Sequence, residues 1–232
     1  MARHTTIRSH APSVDEDKFV AGILEASTWA RRNARLLVIA ASVLVVAALV
    51  TLYYRSYRGR LEDQANTELD RIRQVAASGN PALANRDLGT FVAKYGGTKA
   101  ESEARLLLAR TALEQGRAQD AANAARPLAE DLESPLGATG AFLLAASYEA
   151  QNDLKQSEGT YLRIAEKAPF DYQRRQALDA AAMLRLQHGD AAGAATLYQK
   201  LLAMTPDTVP EHQVVEMRLA EAQAAAQRAA GK

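Results

Sequence analysis

Residues 182–206 read AMLRLQHGDAAGAATLYQKLLAMTP, and their spacing decides the fold. Counted from Ala182, Gly189 stands seven residues on, Ala194 twelve, Tyr198 sixteen and Pro206 twenty-four. Ala182 is small enough to let two antiparallel helices approach closely. Gly189 suits the left-handed cap that ends the first of them, and Gly189-Asp190-Ala191 reads as the turn between the pair. Ala194 packs back on the first helix and Tyr198 fills the space between neighbouring hairpins. Pro206 stops the second helix, because proline has no N–H to give to the ladder.

The same order recurs upstream. Ala145 is followed at the same offsets by Asn152, Ser157, Tyr161 and Pro169. Ala109 gives Gly116, Ala121, Ala125 and Glu133, with Pro135 two residues late, and Ile72 gives a worn copy in Gly79, Ala84, Leu88 and Gly96. The better copies are offset by 36 and 37 residues, and the loops 133–137 and 168–172 hold the excess over a 34-residue period. Small, Gly or Asn, small, aromatic, Pro resembles the tetratricopeptide repeat (TPR) in order and spacing; another alanine-rich helical bundle is the alternative. A last amphipathic segment, 212–226, has the character of the solvating cap such arrays need.

Upstream of the repeats, residues 36–54 read LLVIAASVLVVAALVTLYY, nineteen residues without a charge, a proline or a glycine, closed by Arg35 and Arg55. As a helix this run is about 28 Å long, close to the ~30 Å hydrocarbon core of a bilayer. A buried helix of a soluble protein is the alternative, but core helices carry a polar face and this run has none. Tyr53, Tyr54 and Tyr57 at one end and Trp29 near the other have the character of interfacial anchors. The expected architecture is all-α. A single N-terminal transmembrane helix (36–54) leads into a TPR-like α-solenoid (55–232) of three to four helical hairpins plus a C-terminal capping helix.

The head, residues 1–35, is polar at its start. Ser13-Val14-Asp15-Glu16 then fits a capping box, with Phe19, Ile23, Ala26 and Ala30 at helical spacing behind it. An amphipathic helix over about 13–34, lying on the membrane surface, and a frayed solvated helix both fit. The long charged stretch before the run argues for a retained signal anchor over a cleaved signal peptide. Positive charge does not set the orientation. Lys18, Arg31, Arg32 and Arg35 lie within twenty residues before the run, against Arg55, Arg58, Arg60, Arg71 and Arg73 after it.

Charge and composition narrow the function. The chain of 232 residues carries 28 Lys and Arg against 27 Asp and Glu. Residues 55–232 hold 22 and 23 of these, a balance that argues against a nucleic-acid surface. There is no Cys, hence no disulfide, thiolate site or acylated cysteine. The four histidines share no ligand spacing, and no metalloprotease, nucleophile-elbow or dinucleotide-binding motif is present. Gly96-Gly97-Thr98-Lys99 lacks the order of a phosphate loop and reads better as a repeat boundary. Glu130, Asp131 and Glu133 read as a solvated face and His188 as a solvated helix end. No catalytic, cofactor, metal or small-molecule site is expected.

What remains is binding. In TPR-like stacking the first helix of each hairpin faces the inner surface through fixed positions. Here these are Glu103, Leu106, Arg110, Leu113 and Glu114, then Thr139, Phe142, Ala146, Glu149 and Ala150, then Gln176, Asp179, Met183, Leu186 and Gln187. Leu106, Leu113, Phe142, Met183 and Leu186 would form an apolar strip for an extended or amphipathic segment, with Arg110, Glu114 and Glu149 at its rim and Phe142 as anchor. The alternative for each is a place in the core.

The layout as a whole carries a narrower resemblance. A short acidic head, Trp29, the junction Arg31-Arg32-Asn33, one apolar run and a degenerate repeat array are similar to the YfgM-like membrane-anchored TPR proteins. That resemblance implies a bacterial inner-membrane protein with a cytoplasmic head and periplasmic repeats, partnering the Sec translocon and periplasmic chaperones. Two functions therefore stand: a tethered interaction module in export or folding, or a structural or assembly accessory subunit of a larger integral membrane complex, such as an energy-transducing one.

Overall fold

Each helical hairpin turns on one residue with a left-handed backbone. Gly79, Gly116, Asn152 and Gly189 have φ of 88°, 71°, 59° and 86°, at the position each copy of the spacing assigns to the turn. After three of them the chain closes a Schellman motif: the N–H groups of Arg117, Asp153 and Asp190 donate to the carbonyls of Ala112, Tyr148 and Arg185 at 2.8–2.9 Å. Two of those residues then serve twice. Asp153 and Asp190 cap the next helix by accepting from the N–H groups of Gln156 and Gly193, as Asn80 does for Leu83 in the first hairpin. Arg117 has no such side-chain cap.

The computed structural model describes Trp29 and residues 31–231. Among the described residues it has nine α-helices and no strand. They are α1 (Ala34–Ala77), α2 (Pro81–Lys94), α3 (Lys99–Glu114), α4 (Ala118–Ala125), α5 (Pro135–Ala150), α6 (Leu154–Lys167), α7 (Asp171–Gln187), α8 (Ala191–Met204) and α9 (Glu211–Ala230), with a 3-10 turn at Leu128–Glu130. The expected head helix over 13–34 lies almost wholly outside the described residues. The chain divides into two units, 1–59 and 60–232. In the first, every residue from Leu36 to Tyr54 is exposed.

In the second unit the helices alternate as inner (α1 from Arg60 on, α3, α5, α7, α9) and outer (α2, α4, α6, α8). Consecutive helices pack from α2 to α9, and α3 also packs on α5. One core cluster joins Ala65, Leu69 and Ile72 of α1 to Leu88 and Phe91 of α2 and Ala104 of α3. A larger one runs from Ala109 to Ala222, and Leu108 packs against both. The small residues of the repeat spacing are all buried: Ala109, Ala121, Ala145, Ser157, Ala182 and Ala194 are 0% exposed. Tyr198 and Tyr161 are buried beside them.

The second hairpin departs from the others. Its outer helix α4 has eight residues where α6 and α8 have fourteen. Pro127 ends it, and the chain continues as the 3-10 turn. That turn lies so close to α5 that a Cβ at Gly137 would stand 1.7 Å from the Asp131 carbonyl oxygen, and one at Gly140 would stand 2.5 Å from Leu128 Cβ. The two glycines are what let the third hairpin close on a shortened second one.

Candidate functional site

The inner-face positions fall into three kinds of environment. Phe142 and Leu186 are half-buried and packed against the larger core cluster. Phe142 sits with its ring centroid 6.0 Å from that of Tyr161. Leu106 and Leu113 are half-buried, Met183 is 40% exposed, and all three lie outside both clusters. Arg110 is exposed and, among the described residues, its one ion pair runs along its own helix, with Glu114 at 3.1 Å.

Of the acidic inner-face positions, Glu114 stays exposed on its own helix, whereas Glu103, Glu149 and Asp179 are tied into the fold. Glu149 on α5 accepts from the Tyr161 hydroxyl at 2.6 Å and from Ser157 Oγ at 3.3 Å, both on α6. Burial, and then the bond to the Glu149 carboxylate, push the Tyr161 phenol well above the ordinary tyrosine range. Glu103 on α3 accepts from Arg73 on α1 at 2.7 Å. Asp179 on α7 pairs with Arg218 on α9. The hydrogen bond that Arg218 donates to the Asp179 carboxylate is the main reason its pKa is raised above the ordinary arginine value. Each of the two ion pairs crosses from one inner helix to the next.

Sequence reasoning named Glu103, Glu149 and Asp179 as surface positions and did not see these partners. It also missed Glu62, whose carboxylate accepts from the backbone N–H groups of Lys99 and Ala100 at 3.0 and 3.1 Å. There it satisfies two orphan donors and complements the dipole of α3. A readable signal existed: an arginine or acid on one inner helix, about one repeat away from its opposite on the next.

Beside the Asp179–Arg218 pair, Gln176, Leu201, Val214 and Val215 help to line a cleft of about 340 Å³ between α7, α8 and α9. Gln176 and Asp179, both named from the sequence, come together there. His188 is exposed at the end of α7, and Glu130, Asp131 and Glu133 are exposed. Among the described residues no three His, Cys, Asp or Glu side chains converge as metal ligands would.

A family model described as a tetratricopeptide repeat-like domain matches residues 27–136, from before the apolar run to the start of α5. No curated protein matches the chain. Two solved structures share the fold: nearly identical TPR-like repeats of a protein assigned as a kinesin light chain from Podosopora anserina, and a glutamine-to-methionine point variant of the same repeats. The first is 17% identical with a TM-score of 0.56, covering 72% of this chain and 89% of its own. The variant is 18% identical with a TM-score of 0.56, covering 72% and 88%. The described residues thus carry an all-helical, TPR-like repeat array.

Proposed function

We propose that this protein is a membrane-tethered, non-enzymatic interaction module, assisting protein export or folding at a bacterial inner membrane. The observation that carries the tether is the run Leu36–Tyr54. Its eighteen-residue window has a mean hydropathy of 2.7 with none of it buried, and among the described residues no protein surface covers it. Left in water, each exposed leucine or valine would forgo roughly 1.5–3 kcal/mol of burial; in lipid that cost vanishes and the helix satisfies its own backbone. The head is cytoplasmic and the repeats periplasmic in this reading, as the resemblance to YfgM-like proteins implies. Leu106, Leu113 and Met183 are the inner-face apolar side chains that the core does not claim, and they are the contacts offered to a partner.

A photo-cross-linker placed at Met183 in cells tests this reading. Adducts to translocon or chaperone components, lost on Leu113→Asp with melting unchanged, are the expected result. In a control, Phe142→Ala should lower both adduct yield and melting temperature, because Phe142 packs against the core. The second reading, an accessory subunit braced in a larger membrane complex, draws support from Glu103, Glu149 and Asp179 being used inside the fold. Adducts from Leu44 but none from Met183, with co-purification at fixed ratio in mild detergent, would favour it.

A further inference from the structure

We propose that the cleft between the second and third hairpins docks a partner polypeptide segment that carries a carboxylate beside an apolar side chain. The cleft has a volume of about 400 Å³. Its floor is Leu144, buried, and Tyr148, half-buried, both on α5. One wall carries Arg126 and Glu130, and the other is the side of α6 that holds Gly159 and Arg163. Leu144 lies two residues from Phe142, about 200° around the helix, so this surface is not the inner strip and its occupancy is independent of that reading.

Gly159 is the first reason. It stands inside α6, where glycine is among the least favourable residues, yet a Cβ there would meet nothing within 4 Å. Packing does not require the glycine. The corresponding positions of the other repeats hold Arg86, Asn123 and Thr196. Only in the third hairpin is the wall bare, and what the missing side chain leaves is room.

Charge is the second reason. Arg73, Arg105, Arg117, Arg185 and Arg218 are all in ion pairs. Arg126 has no side-chain partner among the described residues, and Arg163 makes one long contact, 3.5 Å to the Ala129 carbonyl. Glu130 is the one carboxylate among the lining residues, so the cleft keeps a net positive charge. One guanidinium without a side-chain partner and one held only by a long carbonyl contact, over an apolar floor, fit a carboxylate, which a guanidinium can take bidentately, with an adjacent apolar side chain set on Leu144.

The test uses the full-length protein in mild detergent and a set of short fluorescein-labelled peptides placing Asp or Glu beside Leu, Phe or Trp. Each has an Asn or Gln counterpart, and binding is read by anisotropy. At least one acidic peptide should bind, with its amide counterpart weaker by about tenfold or more. Gly159→Leu removes the helix-unfavourable glycine and fills the cleft. It should leave melting unchanged or raised and abolish binding. Arg126→Gln and Arg163→Gln should each weaken binding severalfold without moving the melting temperature. The proposal falls if no acidic peptide binds, if the amide peptides bind equally, or if Gly159→Leu leaves binding intact. Binding to phosphatidylglycerol vesicles that Gly159→Leu blocks, with no peptide bound, would give the cleft to lipid headgroups and equally overturn it.

Discussion

Leu44 and Leu69 lie on the same helix, α1, yet Leu44 is 71% exposed and Leu69 is 1% exposed. Around Leu44 every face of the helix is apolar. Around Leu69 the apolar residues fall on one stripe, Ala65, Leu69 and Ile72, and Asp63, Gln64, Asp70 and Arg71 occupy the rest. Hydrophobicity alone therefore does not decide burial within this chain. Periodicity does: a stripe finds a protein partner within the chain, and the stretch that is apolar all round finds none among the described residues, which suits the proposed membrane span.

The largest expected effect comes from removing the two leucines in turn. Leu69→Ala should cost about 2–5 kcal/mol, since it empties a site that α2 and α3 close over. Leu44→Ala should stay within about 0.5 kcal/mol, because no packed neighbour is lost. Melting of the full-length protein in detergent, followed by helicity, reads both. Equal effects would break the comparison. Next in size is a charge placed in each segment. Val45→Arg should disfavour insertion by roughly 2.5–3.5 kcal/mol, seen as loss from the membrane pellet after alkaline washing. Gln64→Arg, on an exposed face of the same helix, should leave both pellet and melting unchanged.

A smaller effect tests how the repeats handle polarity. Tyr161→Phe removes the donor that Glu149 accepts and should cost about 1–1.5 kcal/mol near neutral pH. The sign with pH follows from the raised Tyr161 pKa. The folded state favours the protonated phenol, so its contribution is complete below the ordinary tyrosine pKa of about 10 and is lost as pH rises above it. The native protein should lose melting temperature more steeply above that pH than Tyr161→Phe does. Parallel curves would mean that the phenol titrates as in the unfolded chain.

The repeat register was legible because it is local. Turn, small and aromatic positions lie within a span of twenty-four residues, and steric demand alone selects them. Asn152 is the clearest instance, a non-glycine read as a left-handed cap and found with φ 59°. The shortened α4 was readable in principle. Pro127 removes a helix donor just past Ala125, but the repeat spacing assigns the helix-stopping proline of this copy to Pro135. What could not be read locally were the ties across thirty or more residues, Arg73 to Glu103, Glu62 to the start of α3 and Asp179 to Arg218. They depend on how one hairpin is stacked on the next, and the spacing inside a hairpin does not encode that. The same gap makes Glu149 look like a rim charge in the sequence, although in the structure it is the acceptor for Tyr161 and Ser157.

The smallest expected effect concerns one of those ties. Asp179 and Arg218 join α7 to the terminal helix α9, with side chains 29% and 35% exposed. A pair this accessible gains little Coulomb energy beyond what water offers, so a double-mutant cycle with Asp179→Asn and Arg218→Gln should give a coupling of about 0.2–1 kcal/mol. Two further features separate a brace from a spectator. Raising the salt concentration should shrink the coupling, because both groups are reached by solvent. Breaking the pair should also loosen α9 more than the hairpins before it, because α9 holds only Val215 and Ala222 in the core. Amide exchange in α9 should accelerate by the factor the coupling implies, a fewfold at most, while α5 and α6 keep their protection. Exchange that rises equally along the whole array would instead mean that the repeats open as one cooperative body, with the pair contributing to all of it.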